Sequence, residues 1–132
     1  MNCLLDTHTF LWTLFEPSQL SSVAKAAIQD HQNTGHVSSV TFWEISLKFS
    51  LGKLVLKNCK PEDLIEMIRK LDFEILELRP PEAATFYQLP RTPHKDPFDR
   101  MLIWQAIQND LTLISRDKDF QTYRQWGLKT LW

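Results

Sequence analysis

The chain reads as an α/β fold with a mainly parallel four- to five-stranded sheet flanked by helices. Three observations predict it. Short apolar runs at residues 1–5, 36–40, 73–78 and 111–115 alternate with segments whose apolar residues recur at helical spacing. Capping and breaking residues fall between them, so each strand is followed by a helical crossover that lets the next strand pair parallel. The 132 residues are 43% hydrophobic and 23% charged, which is enough to fill the core of one domain spanning 1–132.

The elements follow in order. Met1 to Leu5 is a short buried strand. Thr7 to Phe15 is a helix stopped by Pro17. Ser21 and Ser22 offer an N-cap for a helix from Val23 to Gln32, broken by Gly35. His36 to Val40 is a strand, and Thr41 opens a helix from Phe42 to Ser50 that Gly52 ends. Pro61 starts a helix over Glu62 to Leu71, where Leu64, Ile65, Ile68 and Leu71 share a face. Phe73 to Leu78 is a strand, and Pro80-Pro81 begins a short helix to about Gln88. The prolines at 90 and 93 mark a loop. Pro97 opens a helix to Asn109 that is apolar on most faces and therefore buried. Leu111 to Ser115 is a strand, residues 117–125 a turn or short helix, and Leu128 to Leu131 an edge strand.

Bulk properties exclude several classes. A formal net charge of −1 supplies no whole-molecule attraction to nucleic acid, so such a partner needs a local basic patch. The two cysteines, Cys3 and Cys59, form neither a disulfide framework nor zinc-type pairs. No apolar run approaches a membrane span and no signal-peptide pattern is present, so a cytoplasmic chain without a membrane partner is expected.

In a parallel α/β sheet, helix N-termini lie at the same edge as strand C-termini, where ligands bind. Asp6 follows the first strand, and Glu44 stands in the first turn of the helix after the second. Asp96 and Asp99 begin the helix leading into the fourth strand, and Asp117 follows that strand. All are expected at one edge. Carboxylates gathered this closely repel one another unless a cation neutralises them. Basic residues stand beside them in sequence: Lys48, His94, Lys95, Arg100, Arg116 and Lys118. That setting suits a substrate held by its phosphates.

Each acid also has a purely structural reading. Asp6 can cap the helix at Thr7. Thr41 and Glu44 have capping-box spacing, and Glu44 can pair with Lys48. Asp96-Pro97-Phe98-Asp99 matches N-cap, proline at N1 and acid at N3. Asp117 can shape a turn, and the neighbouring bases can simply pair with the acids.

Four segments together resemble the PIN-domain family, and within it the VapC-type toxins of bacterial toxin–antitoxin pairs. They are Leu-Leu-Asp-Thr-His at 4–8, Ser-Ser-Val-Thr-Phe-Trp-Glu-Ile-Ser-Leu-Lys at 38–48, His-Lys-Asp-Pro-Phe-Asp-Arg at 94–100, and Leu-Ile-Ser-Arg-Asp-Lys-Asp-Phe at 113–120. They occur in the family's order and span nearly the whole chain. The resemblance implies a three-layer PIN-like fold and a metal-dependent endoribonuclease with four acids, Asp6, Glu44, Asp99 and Asp117. Asp119 competes with Asp117 for the fourth place, and Asp96 is a supporting acid. Trp104 departs from the small residue that relatives more often carry.

The same resemblance implies one or two Mg²⁺ or Mn²⁺ ions, to which hard carboxylate oxygens are suited. Metal-activated water would hydrolyse the RNA phosphodiester bond. Arg100 and Arg116 are candidates for substrate phosphate contacts, and Thr7 and Ser115 for orienting metal-bound water or the acids. The implied partners are an RNA substrate, a small antitoxin protein and a second copy of the chain as a homodimer. The alternative is a catalytically silent PIN-like domain that only binds RNA or a protein. An aspartyl phosphatase of the haloacid dehalogenase type fits less well, because His8 stands where that chemistry needs a second aspartate. A response-regulator receiver domain needs an acceptor aspartate where Leu78-Arg79-Pro80 stands.

Overall fold

The computed structural model describes residues 1–132. Five strands form one parallel sheet: β1 (Asn2–Leu5), β2 (Thr34–Ser38), β3 (Glu74–Leu76), β4 (Thr112–Ile114) and β5 (Lys129–Leu131), in the order β3-β2-β1-β4-β5. Six α-helices connect them: α1 (Thr7–Phe15), α2 (Ser22–Gln29), α3 (Ser39–Ser50), α4 (Asp63–Lys70), α5 (Pro80–Thr85) and α6 (Pro97–Gln108). A 3-10 helix, Lys118–Trp126, fills the segment expected to be a turn or short helix. No helix is long and apolar enough to cross a membrane.

Alternation along the strands builds two cores. Cys3 and Leu5 of β1 and Ile114 of β4 pack with Phe10, Ala24, Ile45, Leu64 and Ile68 on one face of the sheet. Leu4 and Leu113 face the other way, onto Leu102, Ile103, Ala106, Phe120 and Tyr123. The result is helix, sheet, helix in three layers, as expected. Trp104 fits within the second core: the residue is 7% exposed, and its Nε1 donates to the Glu82 carbonyl at 3.1 Å and Thr85 Oγ1 at 3.2 Å.

Three boundaries differ from expectation. Helix α2 ends at Gln29, where Asn33 Nδ2 donates to the Ala27 carbonyl. Gly35 therefore lies within β2 and breaks no helix. A Cβ there would come within 2.8 Å of the Phe73 ring, so hydrogen is the only substituent that fits. Strand β2 stops at Ser38, and Ser38 rather than Thr41 caps α3 by accepting from the Val40 N–H at 3.0 Å. Helix α3 thus begins early, and the Thr41–Glu44 capping box does not form.

The chain moves outward from β1 through β2 to β3, then returns to lay β4 and β5 on the other side of β1. The carboxyl ends of β1 and β4 therefore flank a topological switch point, where parallel sheets open a crevice.

Candidate active site at the switch point

Asp6 is the first residue after β1. Its backbone N–H donates to the Ile114 carbonyl of β4 at 3.2 Å, which ties it to the neighbouring strand end. Its carboxylate caps α1 by accepting from the Thr9 N–H at 2.8 Å and also accepts from Ser115. Burial nevertheless raises its pKa, the desolvation outweighing those hydrogen bonds and the nearby His8.

Asp99 lies in the first turn of α6. Asp96 caps that helix, accepting from the Asp99 N–H at 3.0 Å. Burial first, then the charges of Asp96 and Glu44, push the Asp99 carboxyl from the ordinary 3.8 to about 7, against the opposing contact of His94. His94 Nε2 lies 3.2 Å from Asp99 Oδ2. Asp117, after β4, accepts from the Asp119 N–H at 2.9 Å, while its own N–H donates to Ser115 Oγ at 3.0 Å.

Asp6, Asp99 and Asp117 line one cleft of about 360 Å³, together with His8, Trp12, Arg116 and Phe120. Ligating atoms of His94, Asp99 and Asp117 all lie within 4.8 Å of one another. The donor set fits a divalent cation. Buried carboxylates whose protons are held unusually tightly lack positive charge, and their oxygens are hard ligands.

The other candidate residues fall into place around this cleft. Glu44 is 2% exposed and stands one turn further into α3 than expected. It accepts from Thr7 Oγ1 at 2.6 Å and pairs closely with Lys48. Burial opposes the charge on Lys48, but the Glu44 bond and the fields of Glu44, Asp96 and Asp99 hold its pKa above the ordinary value. Glu44 does not line the cleft, although its charge is felt by Asp99. Thr7 orients Glu44, and Ser115 bridges Asp6 and Asp117. Asp119 is exposed and outside the cleft lining.

Arg100 does not occupy the position expected of a phosphate ligand. Its guanidinium donates to the carbonyls of Leu89 and Pro90, at 3.1 Å each, and to the Tyr123 hydroxyl at 3.0 Å. It fastens the loop before α6 and does not line the cleft. Arg116 does line it, with its guanidinium carbon 4.4 Å above the Trp12 ring centre. The structure brings forward His94, which the sequence showed only as one basic neighbour among several. The fully buried Tyr123 braces its ring: His94 Nδ1 lies 3.2 Å from the Tyr123 hydroxyl, which also meets Thr92 Oγ1 at 2.8 Å.

A parallel-sheet α/β protein with carboxylates gathered at its switch point defines a class whose chemistry is acidic and cation-seeking. The family model adds the particular lineage: residues 3–125 match the PIN domain, and the chain belongs to that family. It is 28% identical over 134 aligned positions to Ribonuclease VapC22 of Mycobacterium tuberculosis, covering 98% of this chain and 97% of that relative. Among solved structures it is similar to VapBC2 from Rickettsia felis bound to a DNA fragment from their promoter (TM-score 0.68, 16% identity, 99% and 98% of the two chains). It is also similar to VapBC-1 from nontypeable Haemophilus influenzae (TM-score 0.66, 17% identity, 99% and 97%). A toxin–antitoxin complex from Klebsiella pneumoniae is similar at TM-score 0.54 and 25% identity, over 89% of each chain.

Proposed function

We propose that this chain is a metal-dependent endoribonuclease and the toxin of a toxin–antitoxin pair. The observation that carries the reading is the gathering of Asp6, Asp99 and Asp117 in one cleft at the sheet's switch point in a PIN-domain chain. The similarity to a VapC ribonuclease and to toxin–antitoxin complexes supports it.

Asp6, Asp99 and Asp117 would hold one or two Mg²⁺ or Mn²⁺ ions, with Glu44 completing the acidic set and Asp96 adding to its field. Such an ion supplies Lewis acidity and makes water nucleophilic at neutral pH. The residues of the chain do the rest. Ser115 and the Thr9 N–H fix the Asp6 carboxylate, Thr7 fixes Glu44, and His94 fixes one oxygen of Asp99. Arg116 meets the phosphate backbone of the RNA, donating from the edge of its guanidinium. The partners in this reading are RNA, a small antitoxin protein in the cytoplasm and a second copy of the chain.

Asp6→Asn tests it. Asparagine caps helices about as well as aspartate, so the fold is retained while a ligand charge is lost. The expected result is no RNA cleavage by a folded variant, and cleavage by the native chain that stops with EDTA and returns with Mg²⁺ or Mn²⁺. Full cleavage by folded Asp6→Asn refutes the mechanism. RNA binding without cleavage by the native chain favours the silent-domain alternative.

A further inference from the structure

The cleft has two unlike sides, one acidic and the other lined by His8 and Trp12 of α1 and by Arg116 from the turn after β4. His8 and Trp12, four residues apart on α1, face one another with ring centres 5.7 Å apart. Trp12 continues to Trp132, just beyond β5, at 6.1 Å. Arg116, from the turn after β4, lies over Trp12 with its guanidinium carbon 4.4 Å from the ring centre. Arg116 is exposed and shares its cleft with three aspartates, yet it joins none of the chain's ion pairs. Stacking on the indole, and not a carboxylate, sets its orientation.

We propose that Trp12, Arg116 and His8 form a nucleobase subsite beside the acid site, on which a base next to the cut bond stacks. The inference rests on the ribonuclease reading and deepens it. A guanidinium whose carbon sits 4.4 Å over an indole is held there by cation–π attraction. Arg116 is exposed, so a base arriving from solvent can reach the guanidinium. Bases splayed from a single strand stack on aromatic rings and on guanidinium planes, and they do so with little regard to sequence. Bases within a duplex are already stacked and cannot reach such a wall. The wall stands on the helix that Asp6 caps, so a base resting there brings its own phosphate towards the carboxylates.

The test separates stacking from charge. A fluorescein-labelled ten-nucleotide oligouridylate and a ribose-phosphate chain of equal length without bases are titrated against the Asp6→Asn chain, which leaves the probes intact. The same titrations follow with Trp12→Leu or Arg116→Lys added. Lysine keeps the charge and loses the plane, at an exposed position that folding does not depend on. The expected result is about tenfold weaker binding of oligouridylate by either added substitution, with the abasic chain bound unchanged by Trp12→Leu and weakened severalfold less than oligouridylate by Arg116→Lys, which also loses the guanidinium's phosphate contact. Equal losses on both probes mean that the wall acts through charge alone and overturn the proposal. Unchanged oligouridylate binding by Arg116→Lys overturns it too. Failure of the ribonuclease reading shows elsewhere, as RNA cleavage that does not require Asp6, and leaves these binding ratios untouched.

Discussion

Asp99→Asn should make the metal-free protein more stable at neutral pH. In the folded chain the Asp99 carboxyl holds its proton up to about pH 7, whereas an unfolded aspartate releases it near 3.8. Between those values the native state binds more protons than the unfolded state, so stability falls as pH rises. Below about pH 4 both states are neutral here and the penalty is absent; above about pH 7 both are ionised and it is complete. The displacement corresponds to about 4 kcal/mol. The side chain is 23% exposed, and the repulsion is shared with Asp96 and Glu44. Solvent screening and that sharing reduce the expected gain to about 2 kcal/mol.

Asparagine keeps an acceptor for His94 and removes the charge. Urea unfolding in EDTA at several pH values measures the difference between native and variant chains. It should be near zero at pH 4 and grow to about 2 kcal/mol in favour of the variant by pH 7.5, which is several degrees in Tm for a chain of this size. Added Mn²⁺ should stabilise the native chain and do much less for the variant. An Asp99→Asn chain no more stable than the native one at pH 7.5 in EDTA would refute the argument that this carboxylate is strained by burial and repulsion.

Two further substitutions probe the scaffold. Gly35→Ala would place a Cβ 2.8 Å from the Phe73 ring and should cost about 1–3 kcal/mol in thermal or urea unfolding, because the ring must shift against the core. Tyr123→Phe removes the hydroxyl shared by Thr92, His94 and Arg100 and should cost about 1–3 kcal/mol in the same assay. Cleavage by the Tyr123→Phe chain should fall as the His94 ring loosens, and activity equal to the native chain's would show that the brace does not reach Asp99.

The parallel sheet and the acidic edge were legible in the sequence because both follow from alternation: strand, helix and carboxylate recur in a fixed relation. The start of α3 was not. In Ser38-Ser39-Val40-Thr41 three residues can cap, and the choice is made from a distance, where Ser38 Oγ donates to Gln105 Oε1 at 2.5 Å. Arg100 misled for a different reason. It follows Asp99 in sequence, but successive helical residues point about 100° apart, so one enters the site while the other turns to Tyr123. His94 was obscured because its approach to Asp99 depends on how the proline-containing loop doubles back before α6. The structural readings of Asp6, Asp96 and the Glu44–Lys48 pair proved true: both aspartates cap helices, and Glu44 pairs with Lys48.

That double duty has a genetic consequence. Asp6 and Asp96 are both helix caps, and asparagine serves a cap about as well as aspartate. A single-base change in an aspartate codon yields asparagine. At position 6, one such change would silence the chemistry while the chain continued to fold, persist and occupy whatever surfaces it normally meets. A lineage under pressure to disarm this protein need not lose it. It can keep a folded, inert copy that competes for the same partners as the active one.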